Sequence, residues 1–312
     1  MLRFVLIKGS RALISVALVV TFTFVILRLS GDPVTTLLGP DVTAEELEAF
    51  RIRHGLDRSV LEQYLLYVRN ILVGDFGQSL RGGRPALELV LARIGPTLQI
   101  MVPGFLLMLA VGLPAGIHAA LHRGSWLDRL TMTVSVLGYA VPNFVLGVLL
   151  ILLFAVSLGW LPSSGSGSWR HALMPILTIG FSGAGVLARF VRSSMLEVLS
   201  QPYVRAAQAR GLPWRRVVWE HALPNAAIPT LTVIGFIIGG LISGAVIVES
   251  VFAWPGIGRQ LVTSVANRDL AVVQVCLLLI AASMVTANLL VDIAYGWLDP
   301  RIRSGRRPGG GR

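Results

Sequence analysis

Thr97–Ala120, Leu130–Trp160, Ala226–Val248 and Leu270–Val291 contain no Asp, Glu, Lys or Arg. Each is long enough to cross a bilayer, which takes about 20 apolar residues at the helical rise. Hydrocarbon offers no water to backbone N–H and C=O groups, so runs of this kind fold as membrane-spanning helices. Two further runs complete the set. Ala12–Leu29 is apolar except for Arg28, which lies where a long side chain can snorkel to the surface. Ala172–Ala188 is shorter and ends at Arg189 and Arg192. Pro103 and Pro114 do not argue against a span, because neighbouring helices can satisfy the freed carbonyls. Leu130–Trp160 exceeds what a straight span needs, and tilt or a break at Pro142-Asn143 absorbs the excess. The prediction is an all-α polytopic membrane protein with six transmembrane helices. Composition agrees: 14% of residues are charged and mean hydropathy is +0.73, against about 25% charged in soluble domains.

The first span is read as retained. Its apolar region is longer than that of a signal peptide, and Arg28-Leu-Ser-Gly-Asp-Pro offers no A-x-A-like cleavage site. Six spans put both ends on one side. That side holds the N-terminal Arg3, Lys8 and Arg11, the 118–130 turn, the 189–225 loop and the C-terminal tail. It carries sixteen Lys and Arg against five Asp and Glu, whereas the other side carries eleven against eleven. The whole excess of +11 therefore lies on one side, which is expected to be cytoplasmic. An excess of this kind sets topology in a membrane, so membrane lipid and no nucleic acid is the expected surrounding.

Enzyme chemistry finds little support. Cys276 is alone in an apolar run, so there is no disulfide framework. No G-x-x-x-x-G-K-[ST] run is present, and the lone Lys8 fits none, so the chain cannot cradle a nucleotide in that way. H-E-x-x-H and a serine nucleophile elbow are also missing from the sequence. His118 and His122 stand four apart with Asp128 following, but a closed zinc site wants four ligands. No metal and no catalytic residue is expected in this chain. Ser163–Ser168 reads as a flexible linker.

Three polar regions interrupt the apolar runs. Gly31–Pro96 is the long hydrophilic section. Thr43 and Glu46 have capping-box spacing for a helix reaching Arg53, and a second helix is predicted from about Ser59 to Leu72. Leu61, Tyr64, Leu65 and Val68 would share one face of it. Tyr203–Pro229 is the second region. Ser200 and Pro202 offer helix-start chemistry, a helix runs through Ala206, Ala207 and Ala209, and Gly211 suits the left-handed position that ends it. Leu212-Pro213 starts another helix, which Pro224 and Pro229 are expected to break before the next span. Tyr203, Ala206, Ala207 and Arg210 fall on one face, whose small residues let another surface approach closely. Within the span that follows, Gly235, Gly239, Gly240 and Gly244 have small-x-x-x-small spacing, suited to a second subunit or to packing within the chain. The third region, Glu249–Asp269, reads ESVFAWPGIGRQLVTSVANRD.

The spacing Ala206-Ala207, three residues, Gly211, nine residues, then His221-Ala-Leu223-Pro224 resembles the cytoplasmic coupling loop of bacterial ABC importer permeases. That family loop reads Glu-Ala-Ala, three residues, Gly, nine residues, Ile, one residue, Leu-Pro. Arg205 stands at the Glu position and His221 at the Ile position. Gly31-Asp-Pro, His54-Gly-Leu-Asp, Gln63-Tyr64, Gly74-Asp-Phe-Gly and Ser79-Leu are similar to the extracytoplasmic segment of B-type subunits of dipeptide and oligopeptide importers. Glu249, Val251-Phe252, Pro255-Gly256-x-Gly258 and Asn267-Arg268-Asp269 resemble a series just after that family's fifth span, and Asp299-Pro-Arg-Ile-Arg resembles its C-terminal end.

The resemblance covers nearly the whole chain and implies a type I ABC importer permease in a bacterial plasma membrane. On that basis residues 1–29 form the tail and first span, 30–96 the extracytoplasmic segment, 97–298 the permease core with its coupling loop at 197–228, and 299–312 a cytoplasmic tail. Tyr203, Arg205, Ala206, Ala207, Arg210, Gly211, Leu223 and Pro224 would dock in a groove of an ATPase subunit. Glu249, Phe252, Pro255, Gly256, Gly258, Asn267, Arg268 and Asp269 would form a receptor-side gate element, with Asp57 and Trp254 facing the binding protein. The implied partners are a second homologous permease, two ATPases that hold ATP and Mg, and an extracytoplasmic peptide-binding protein. The same machinery could import nickel, glutathione or haem. A secondary transporter would instead want paired intramembrane ionisable groups, and between span ends the strongly polar residues are Asn143, Gln274 and Asn288.

Overall fold

A computed structural model describes residues 2–29, 45, 52, 58–79 and 83–298. The Thr43–Glu46 capping box, the Gly31 and His54 motifs, Asp57 and the tail from Asp299 lie outside the described residues. The described chain is helical apart from connections and one isolated antiparallel bridge between Gln78 and Pro85. Helix α1 is Leu2–Leu29, α2 Val60–Leu72, α3 Ala86–Leu91, α4 Ile94–Leu121 and α5 Trp126–Ala140. Helix α6, Asn143–Leu150, continues into a π-helical stretch, Ile151–Ser157. Next come α7 Trp169–Leu199, α8 Pro202–Ala209 and α9 Trp214–Arg216. A second π-helical stretch, Val217–Ala222, leads into α10 Leu223–Val251, followed by α11 Ile257–Ala266 and α12 Leu270–Leu298.

Five helices are long and apolar enough to cross a membrane, or six if the pair α5–α6, bent by 101°, is one span. Contacts along α7 show that the pair is one broken span. Asp128, at the start of α5, pairs with Arg192. Ser135 packs against Gly185, Asn143 meets Ser182, and Leu150, Ile151 and Phe154 pack on the cluster that Met174 forms with Val248 and Phe252. The partners step steadily along α7 in the reverse direction, so the two pieces traverse its length. The break falls at Pro142, whose ring disfavours a helical residue before it; Val141 is extended at φ −87°, ψ 116°.

Glycines set the main seam, between α4 and α7. A Cβ on Gly112 would lie 2.9 Å from the Ala184 carbonyl, and one on Gly116 would press on Ala188 and Val191. Gly180 and Gly183 on α7 make room in return for Leu107 and Met108. In lipid, where tails are as apolar as leucine, this closeness of backbones supplies the packing that holds helices together. The cluster of Met108, Leu187, Val191 and Met195 fills what remains.

Helix α7 is longer than its apolar run, because Arg192 is matched by Asp128 and the helix continues past it. Helix α2 begins at Ser59, which forms a capping box with Glu62, and it rests on α1 through a 2.8 Å Thr21–Tyr64 hydrogen bond and the Phe24 ring. The expected apolar face of α2 is divided: Leu61 and Leu65 are exposed, while Gln63 is buried and Tyr64 turns to α1. Exposed Trp126, Trp214 and Trp219 gather at one end of the bundle and Trp160 and Trp169 at the other, as the two interfacial aromatic belts of a membrane protein do.

Candidate functional site

At one end of the bundle, α10 finishes and the chain doubles back into α11. Glu249 sits in the last turn of α10 with 0% exposure. One carboxylate oxygen accepts the Thr97 hydroxyl at 2.7 Å. The other accepts the backbone N–H of Gly258 at 2.7 Å and of Arg259 at 3.1 Å. These N–H groups belong to the first turn of α11, whose own N-cap, Gly256, has no side chain to satisfy them. Glu249 therefore caps a second helix from outside, with its acceptor oxygens at the positive end of the helix dipole. The Thr97 hydroxyl also accepts the Ile257 N–H at 2.9 Å, and Trp254 donates its indole N–H to the Pro96 carbonyl at 2.8 Å.

The two glycines of the Pro-Gly-x-Gly run are required by space. A Cβ on Gly256 would land on the Glu249 carboxylate, and one on Gly258 would strike the Val246 backbone. Ala253 takes φ +50°, the sharpest point of the reversal, and its carbonyl accepts the Arg259 guanidinium. Phe252 is buried against Met174 and Val248, and its carbonyl accepts the Gly165 N–H at 2.9 Å. Gly147 on α6 lies under its ring, where a Cβ would come within 3.2 Å. Pro255 is half-buried. Past α11, Asn267 is the C-cap, Arg268 takes φ +54° and is exposed, and the buried Asp269 carboxylate accepts the Ser79 hydroxyl.

Trp254, expected on a receptor-facing surface, is 3% exposed and tied to α4. It belongs to the framework of the element. The exposed face is made by Arg268 with Val262 and Val265 of α11.

At the opposite end, α7 gives way to α8 after Leu199. Ser200 does not cap α8: its hydroxyl donates back to the Glu197 carbonyl at 2.7 Å, and Gln201 takes the N-cap with Pro202 in the first turn. Val204 and Ala207 are buried against Val198, Leu199, Leu212 and Val217. Ala207 thus leaves the expected common face, on which Tyr203, Ala206 and Arg210 remain exposed. Arg205 is exposed and reaches the Ser200 carbonyl at 3.2 Å. Gly211 has φ +81°, and a Cβ built there meets nothing within 4 Å.

Pro224 and Pro229 do not break the helix. Helical structure is continuous from Trp214 to Val251, with Leu223 half-buried at the start of α10 and Pro224 exposed. For Pro224 the reason is the π-helical stretch Val217–Ala222, which holds the carbonyl four residues before it; Pro229 lies within the regular turns of α10. A proline ring clashes with the carbonyl four residues back and donates no N–H, and a widened turn just before it relieves that demand. One helical rod therefore joins the 197–228 loop to Glu249.

Elsewhere, the His118 and His122 rings stack 4.2 Å apart, and Asp128 is engaged by Arg192. No group of three or more metal-ligating side chains is found among the described residues. Thr97 carries no local signal in the sequence, because its partner lies 152 residues away. Asp128 could be singled out in sequence as the lone acid of a basic turn, but nothing there points to Arg192.

A bundle of this kind, with a reversed element at one end and a helical loop at the other, is the permease of an ABC importer. Residues 112–304 match the family model for a binding-protein-dependent transport system inner membrane component, and residues 1–102 match the N-terminal model of such a membrane component. The chain is 41% identical over 285 residues to the glutathione transport system permease protein GsiC of Escherichia coli (strain K12), covering 91% of this chain and 93% of that one. The same figures hold for GsiC of Shigella dysenteriae serotype 1 (strain Sd197). Among solved structures, an amino acid ABC transporter with histidines aligns with a TM-score of 0.53 at 17% identity, over 67% of this chain and 94% of that chain; this likeness concerns the fold. The chain belongs to the binding-protein-dependent transport system inner membrane component family, in its peptide/nickel-type branch, and is a multi-pass inner-membrane permease.

Proposed function

We propose that this chain forms half of the membrane path of an ATP-driven importer for short peptides, glutathione included. Its cargo arrives on an extracytoplasmic binding protein. A second homologous permease completes the path, and two ATPase subunits holding ATP and Mg drive it. The 197–228 loop and both chain ends lie in the cytoplasm, and the 249–269 element faces the receptor. What carries this reading is the continuous rod from Trp214 to Val251. Displacement of the exposed Tyr203, Ala206, Arg210 and Gly211 surface by an ATPase would be passed along one helix to Glu249, which holds the start of α11. Packed elements with two discrete arrangements convert such small shifts into alternating access.

Reconstitution of the permease pair, ATPases and binding protein in proteoliposomes tests this. ATP-dependent uptake of radiolabelled glutathione or di- and tripeptides is expected, and none is expected without the ATPases. Uptake driven by an ion gradient in their absence would overturn the reading. Transport of nickel or haem but no peptide would keep the machinery and replace the cargo.

A further inference from the structure

We propose that Asp128 and Arg192 form a positioning clamp that makes α5 follow α7 when the 197–228 loop is displaced. This rests on the coupling role of that loop proposed above. Arg192 lies two turns before the end of α7, and α8 follows after a short joint. Its Nε donates to one Asp128 oxygen at 2.6 Å and its Nη2 to the other at 2.9 Å. The second oxygen also accepts the Gly124 N–H at 2.9 Å, and the Asp128 N–H is held by the Ser125 hydroxyl at 3.1 Å. The carboxylate is thus fully engaged and fixed to the α4–α5 turn. Side-chain exposure is 5% for Asp128 and 23% for Arg192, so the pair is shielded from the screening that weakens surface ion pairs.

Two-pronged geometry resists rotation as well as separation. Further along the α5–α7 boundary, Ser135 packs on Gly185. Without the clamp, α7 and α8 could shift while the start of α5 stayed behind. ATP hydrolysis would then continue with less movement of the broken span α5–α6, whose far part supports Phe252.

The test uses the assembled transporter in proteoliposomes with its loaded binding protein. Asp128→Asn is expected to keep ATPase copurification and ATP turnover. Uptake per ATP hydrolysed should fall about tenfold, within the usual range of coupling between sites. In a Cys276→Ser background, Asp128→Cys with Arg192→Cys should be uncoupled in the same way. Bridging the two thiols with a short bis-thiosulfonate should restore coupling, and a reductant should abolish it again. A purely structural role would not give that reversible gain. If Asp128→Asn fails to reach the membrane, Arg192→Lys carries the same readouts, since lysine keeps the charge and loses the second prong. Wild-type uptake per ATP in the single variant, or uncoupling that the bridge does not reverse, overturns the clamp. Gly211→Leu is run beside it. If that variant is uncoupled while Asp128→Asn is not, only the clamp falls; if Gly211→Leu transports normally with both ATPases bound, the role of the loop falls.

Discussion

Of the eight residues that the sequence singles out in the 249–269 element, five are buried: Glu249, Phe252, Gly256, Gly258 and Asp269. Of the eight singled out around the 197–228 loop, six are exposed and only Ala207 is buried. The first set explains itself within the chain. Glu249 needs the two N–H groups of α11, Gly256 leaves room for Glu249, and Gly258 leaves room for Val246. The second set does not explain itself. Gly211 has open space where a Cβ would go, and Tyr203, Ala206 and Arg210 form a face on which none of the described residues lies. Two motifs of equal prominence thus differ in kind: one specifies a fold, the other a surface that waits for something outside.

That contrast predicts where substitutions should hurt. Glu249→Ala should have the largest effect, because it strands the Thr97 hydroxyl and two helix N–H groups in a buried place. Each unsatisfied group costs on the order of 1–3 kcal/mol, so the detergent-solubilised permease should lose most of its thermal stability in a size-exclusion melt. Unchanged stability would show that the carboxylate is not a structural cap.

Gly258→Ala comes next, at about 1–3 kcal/mol for an added methyl in a packed site. Its Cβ would meet the Val246 nitrogen at 2.8 Å and the Val246 Cα closer still. Since backbone must move, the melting point should drop even though the substitution is conservative, and a neutral result would break the distinction between the two ends.

Gly211→Leu should have the smallest effect on stability. The left-handed backbone penalises a Cβ by about 1–2 kcal/mol, and a Cβ there meets none of the described residues within 4 Å. Membrane abundance should stay near wild type while uptake is lost. Equal losses of abundance and uptake would mean that this glycine, like Gly258, serves folding alone.

Much of the scaffold was legible because its signals are local. The uncharged runs mark the spans, the helix expected from about Ser59 to Leu72 is α2, Pro142 marks the broken span, and Gly211 takes the left-handed φ its place suggested. The misread parts depend on neighbours distant in sequence. Pro224 looks like a breaker until the widened turn at 217–222 is seen, and Pro229 lies inside α10 without ending it. Ser200 looks like a cap until its hydroxyl is found on Glu197. Small-residue spacing drew notice to α10, yet Gly240 and Gly244 face open space and Gly239 meets the Asn288 side chain of α12, while glycines in backbone contact with other helices lie on α4, α7 and α11. Spacing reveals a groove but not what fills it. The Glu249–Thr97 bond, the centre of the 249–269 element, had no sequence signal at all.

The α4–α7 seam also constrains motion. Sliding α4 along α7 by a turn would carry Met108 away from its recess at Gly183, and in one direction would bring it to the place where Gly112 now admits the α7 backbone. A ratchet of about 5.4 Å, the pitch of a helix, is resisted in that direction much as mismatched teeth resist a gear. Among the described helices these two form the most extensive contact. The shape change that cargo passage demands then falls to the less closely toothed boundaries, among them the side of α10 on which Gly240 and Gly244 lie open.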